Sequence, residues 1–138
     1  MHVVLGGTYP QNPDSIQGGA DAALLYLVRA LSSHEDLRVS VVTLAPRGSE
    51  RRRERQGAVD VHFIPTSRYP SYFCTLKNIQ ELSRAMLELE PDVIHAQVAG
   101  EFAEAALRTG LPWVLTLHGI RYLEVNLWKG FMARHYNG

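Results

Sequence analysis

Five short apolar runs, spaced by helix-length segments, set the pattern of this chain. His2–Leu5, Val39–Leu44, Ala58–Ile64, Asp92–Ala96 and Trp113–Leu117 are dense in β-branched or bulky residues. Such near-continuous runs are expected of strands covered on both faces in a parallel sheet. The segments between them carry the helical period. Leu24, Leu27, Val28 and Leu31 fall on one face of a helix that opens after Gly18-Gly19, with Asp21 in its first turn, where a carboxylate suits the helix dipole. Leu76, Ile79, Leu82, Met86 and Leu89 form the stripe of a second helix, about Thr75 to Glu90, ended by Pro91. A third, Glu101 to Arg108, closes at Gly110 with Pro112 beyond. After Gly119 the chain is again amphipathic, with Leu123, Leu127, Trp128 and Phe131 on one side.

Strand and helix therefore alternate along the whole chain, which predicts a Rossmann-like, doubly wound parallel sheet of order 3-2-1-4-5 with helices on both faces. The first strand is expected at the centre. Between the second and third strands, RGSERRRERQG reads as a loop. Its arginines invite a phosphate or nucleic-acid reading, but Glu50 and Glu54 interrupt them and no aromatic is interleaved for stacking. A solvated loop is the preferred reading. Pro65 to Cys74 is read as a second loop, whose Tyr69, Tyr72 and Phe73 either line a pocket or cover the adjoining helix.

At 138 residues, 46% of them hydrophobic, the chain suits one globular domain over residues 1–138. Lys plus Arg equals Asp plus Glu at 14 each, so whole-domain charge gives no argument for nucleic acid. A peripheral membrane contact is left open and has no support in the sequence. Cys74 is alone, which excludes an internal disulfide and fits a reducing compartment. The longest apolar run, Ala22 to Val28, is too short to span a bilayer, and the amino terminus lacks a signal-peptide pattern. A cytoplasmic protein is expected.

The candidate chemistry lies at the carboxyl ends of the runs, where open α/β sheets place their ligands. Gly18-Gly19 opens a helix and lets an anion approach backbone N–H groups. The spacing matches neither the dinucleotide fingerprint nor a Walker loop, which argues against NAD-dependent oxidoreduction and nucleotide hydrolysis. His118 follows the fifth run and either handles a proton or a ligand near neutral pH, or bonds the neighbouring backbone. His95 is the poorer candidate and is expected to satisfy a buried hydrogen bond. The histidines have neither helix nor finger spacing and no carboxylate cluster accompanies them, so no metal is expected.

Taken in order, Gly18-Gly19 before an amphipathic helix, VSVVTL, PDVIHAQ and WVLTLHG resemble the amino-terminal domain of group-one (family four) retaining glycosyltransferases with the two-domain GT-B fold. The resemblance covers nearly the whole chain. It implies a nucleotide-sugar donor held mainly by a carboxyl-terminal domain, an acceptor hydroxyl held mainly by this one, and transfer without a cofactor or required metal. Gly18 and Gly19 then face the donor's phosphates and sugar, and His118 lies close to the transferred sugar. Arg121, Gln97 and Tyr72 are acceptor-side candidates. Gln97 stands where many members have a second histidine, and SSHEDLRV replaces the common glycine-histidine-glutamate stretch.

The family's donor-binding glutamate motif belongs to a second domain, so the chain is expected to be a fragment, inactive by itself. The alternative is a stand-alone, non-catalytic ligand-binding or interaction domain of the same architecture.

Overall fold

In a computed structural model, the structure describes residues 1–16, 18–67 and 71–119, of residues 71–74 the backbone only. Along the chain it runs β1 (His2–Gly6), α1 (Gly19–Ser32), β2 (Arg38–Ala45), β3 (Arg52–Gln56), β4 (Val59–Pro65), α2 (Ser71–Glu88), β5 (Val93–Ala96), α3 (Glu101–Thr109) and β6 (Trp113–Leu115). The described strands form one sheet of order β3-β4-β2-β1-β5-β6. All neighbours are parallel except β3 and β4, which are antiparallel. The expected order of the parallel strands is thus present, with one strand more.

That strand corrects the loop reading of RGSERRRERQG. Residues Arg52–Gln56 pair with Val59–Phe63 through a two-residue turn in which Gly57 takes φ 62°, a conformation that glycine adopts without strain. The charges hid the strand because they answer one another across it. Arg53 donates to Asp60 at 2.9 Å, and the Arg52 guanidinium lies 3.9 Å over the Phe63 ring. An edge strand studded with arginines also discourages pairing with another chain.

The core divides into two layers by the alternation of strand side chains. Val3 and Leu5 of β1, Val41 of β2 and Val61 and Phe63 of β4 pack with Leu24, Leu25 and Val28 of α1. Val4, Val42, Ile64 and Ile94 point the other way and pack with Ile79, Leu82 and Met86 of α2 and Phe102, Ala105 and Ala106 of α3. Of the described helices, one therefore covers one face and two cover the other. Leu5, Val4, Val41, Phe63 and Ile94 are all fully buried, as two-sided coverage requires. At the sheet's other edge that coverage fails. Val114 and Leu115, expected to be covered on both faces, are 51% and 39% exposed, because β6 has a described neighbour only in β5.

Helix α2 starts at Ser71, so the backbone of Tyr72 and Phe73 is helical rather than looped. The side chains of Tyr72 and Phe73, together with Tyr69, Arg121 and the amphipathic stretch after Gly119, lie outside the described residues. Helix α3 closes at Gly110, φ 70°, as its sequence indicates. Among the described residues no helix is long and apolar enough to cross a membrane.

Three histidines are held below their ordinary pKa of 6.5, each chiefly by burial: His2, which shares a 3.0 Å hydrogen bond with Ser40, His62 on β4, and His95 on β5. In the unfolded chain these rings bind protons more readily, so below about pH 6.5 protonation favours unfolding. Asp60 and Glu81, lowered first by hydrogen bonds from Arg53 and Lys77, extend the loss to lower pH. The melting temperature should be flat from pH 8 to 7 and fall steadily between pH 6.5 and 5. Thermal melts by circular dichroism across that range check the sign.

Candidate functional site

Parallel pairing brings the carboxyl ends of β1, β2, β4, β5 and β6 to a single edge, and the residues that follow them build clefts there. The first, about 440 Å³, is lined by Ala20 at the start of α1, by Gln97, Val98, Ala99 and Gly100 after β5, and by Leu117, His118 and Gly119 after β6. Gly18 and Gly19 open α1 beside it. Neither needs a glycine conformation, since Gly18 is extended at φ −162° and Gly19 is helical. What they supply is room: a Cβ on either would meet nothing within 4 Å. Backbone N–H groups at the positive end of α1 are therefore open to an anion.

Within this cleft the polar side chains form one hydrogen-bonded line. His118 Nε2 lies 2.9 Å from Gln97 Oε1, Gln97 Nε2 lies 2.8 Å from His95 Nε2, and Thr116 Oγ1 lies 2.8 Å from the same His95 nitrogen. His95 was expected to satisfy a buried hydrogen bond. It does make such bonds, but through Gln97 they reach His118. Burial holds the His95 pKa down, with the neighbouring His118 acting in the same direction. His118 itself is exposed and lines the cleft, whereas Gln97 is only 3% exposed. Among the described residues, His118 Nδ1 has no hydrogen-bond partner.

Gln97 keeps its place through its backbone and through Gly7. Its N–H donates to Gly6 O at 2.8 Å, and a Cβ on Gly7 would come within 2.9 Å of Gln97 Cβ and 3.1 Å of Leu24 Cδ2. Gly7 carried no signal of its own in the sequence, yet its missing side chain is what admits Gln97. Thr116 was likewise taken only as part of a strand.

The second cleft, about 360 Å³, lies between the loop after β1 and the ends of β2 and β4. Tyr9, Asn12, Asp21 and Thr66 are among its lining residues, and Asp21, expected to serve the helix dipole, thus also faces a cleft. The loop is tied to the sheet: Tyr9 N–H donates to Thr43 Oγ1 at 3.1 Å, Tyr9 OH to Gln56 Oε1 at 3.0 Å, and Arg52 Nη2 to Gln11 Oε1 at 2.6 Å. Among the described residues no three His, Cys, Asp or Glu side chains gather as a metal-binding group.

Comparison with known proteins adds the following. A family model described as glycosyl transferase 4-like domain matches residues 18–138. No curated protein sequence matches significantly. Among solved structures, sucrose-phosphate synthase from Thermosynechococcus elongatus has a TM-score of 0.69 at 14% identity, over 91% of this chain and 35% of that one. An E. coli trehalose-6-phosphate synthase bound with UDP-2-fluoro glucose has a TM-score of 0.60 at 12% identity, over 86% of this chain and 33% of that one. A partial sucrose-phosphate synthase structure scores 0.59 at 13% identity, over 86% and 64%. The shared feature is the fold, that of GT-B Rossmann-like domains, and the chain spans about a third of the length of the first two.

The adjacent glycines at the end of β1, Gly6 and Gly7, give a paired test of the packing. At Gly6 an added Cβ meets the far end of the flexible Met86 side chain, at 2.7 Å, whereas at Gly7 it meets Gln97 at its own Cβ. Gly7→Ala should cost about 1–3 kcal/mol by overpacking, and Gly6→Ala clearly less. Denaturant titration of both variants measures the difference; equal costs would show that Gln97 is not braced by Gly7.

Proposed function

The chain belongs to the glycosyl transferase 4-like domain family, and on that premise we propose that it forms the acceptor-side half of a two-domain enzyme. That enzyme moves a sugar from a nucleotide-sugar donor to an acceptor hydroxyl with retention of configuration. The observation that carries the proposal is the meeting of Ala20, beside Gly19, with His118 in one cleft. An anionic group and a hydroxyl-bearing group can both be reached there.

In this reading the donor's diphosphate approaches the open start of α1. As the bond from the sugar's anomeric carbon to the phosphate oxygen breaks, negative charge grows on the leaving diphosphate, and the N–H groups beside Gly18 and Gly19 stabilise it. The acceptor oxygen forms the new bond to the anomeric carbon and passes its proton to the departing diphosphate oxygen. His118, with one ring nitrogen unbonded among the described residues, is placed to accept a hydrogen bond from a reacting or neighbouring hydroxyl. The second domain grips the nucleotide. The reading calls on no metal or cofactor.

Two outcomes test it. In the enzyme carrying both domains, His118→Ala should lower turnover by about 10²–10⁴-fold with little change in melting temperature, since an exposed side chain has little packing to lose. Near-normal transfer would make His118 structural. The 138-residue chain alone should fold but transfer no sugar, because holding donor and acceptor in attack geometry is worth roughly 7–11 kcal/mol and one wall of a cleft cannot do it. Donor consumption is measured against a panel of nucleotide sugars; appreciable turnover by the single domain would overturn the half-enzyme reading.

A further inference from the structure

We propose that Gln97 is a positioning residue that sets the protons of two histidines in opposite senses, holding His118 as its Nε2–H tautomer with Nδ1 left as the free acceptor. The argument rests on the two ends of a primary amide. One end only accepts hydrogen bonds and the other only donates, so one glutamine cannot present the same face to both rings. Its Oε1 stands 2.9 Å from His118 Nε2, and that nitrogen must therefore carry a proton. Its Nε2 stands 2.8 Å from His95 Nε2, which must therefore be bare. The Thr116 hydroxyl, 2.8 Å away, supplies a second donor toward the same bare nitrogen. The His95 proton is left to Nδ1.

The amide has no easy escape from this arrangement. Gln97 is buried, its N–H is bonded to Gly6 O, and its Cβ lies against Gly7. Exchange of the two amide ends would have to reverse both tautomers together. The amide's donor end faces His95 Nε2, so a proton on that nitrogen would set two donors against each other. Burial of His95 acts in the same direction, by holding that ring neutral. Gln97 is a positioning residue in this assignment. It acts through His118, whose Nδ1 is the nitrogen offered to a ligand hydroxyl or N–H.

The catalytic meaning of this arrangement rests on the sugar-transfer reading above, but the arrangement can be measured without it. Long-range ¹H–¹⁵N correlation spectra of the ¹⁵N-labelled 138-residue chain, taken well above the ordinary histidine pKa of about 6.5, report the tautomer of each ring. His118 should be Nε2–H and His95 Nδ1–H. In Gln97→Glu a carboxylate offers acceptors only, so His95 should switch to Nε2–H while His118 stays as it is. In Thr116→Val the amide remains, and His95 should keep Nδ1–H. An Nε2–H His95 in the wild type, or an unswitched His95 in folded Gln97→Glu, overturns the proposal. If Gln97→Glu does not fold, the wild-type and Thr116→Val spectra decide, an Nε2–H His95 in either being the refuting result. These spectra read ring nitrogens rather than turnover, so loss of the sugar-transfer reading would leave them intact, and the reverse holds too.

Discussion

Everything at the functional edge depends on the pairing of β1 with two parallel neighbours at once. Val3 to Gly6 are in register with β2 on one side and β5 on the other, which forces the residues after each strand to emerge together. Because such a strand has no solvent-facing side, its residues must be apolar on both faces, and Val3, Val4 and Leu5 are. Polar groups are then displaced to the strand ends. The core requirement and the location of the chemistry are thus two results of one geometric fact.

At those ends burial and hydrogen bonding have to be reconciled. Gln97 is buried and His95 half-buried, so their polar atoms need partners within the protein, and they find them in Thr116, in each other and in His118. An exposed residue is thereby fixed by buried ones. The same solution recurs on the other side of β1, where Tyr9 is buried in the core yet bonds Thr43 and Gln56 and so anchors the loop above the second cleft. Rigid supports beneath open surfaces are what a binding edge needs.

The parts legible in the sequence were those carried by a single chemical signal. The parallel strands, the stripes of α1 to α3 and the Gly110 cap all follow from apolar period or from one residue type. Strand β3 was not legible, because its pairing energy comes from Arg53 meeting Asp60 and Arg52 lying on Phe63, contacts that charge composition alone reads as solvated loop. The exposure of Val114 and Leu115 was illegible for the converse reason: an apolar run looks the same at an edge as at the centre. Of the site, Gly18, Gly19, Gln97 and His118 were visible as residues, but the tie between Gln97 and both histidines joins positions two and twenty-one apart and has no local signature. Gly7 was invisible for a plainer reason, since its contribution is an absence of atoms.

The glutamine at position 97 is also the residue that departs from the resembled family, many of whose members carry a second histidine there. The exchange has a physical content. A histidine between His95 and His118 would add a titratable group whose donors and acceptors change with pH. An amide has the same reach but a fixed donor end and a fixed acceptor end, so it transmits a direction rather than a charge. Beside a helix start suited to anions, a neutral connector avoids placing a cation where it would compete for the ligand's charge. The polarity of the line is then set by the fold, through Gly6, Gly7 and Thr116, and His118 is left as the member of the line at which proton chemistry meets solvent.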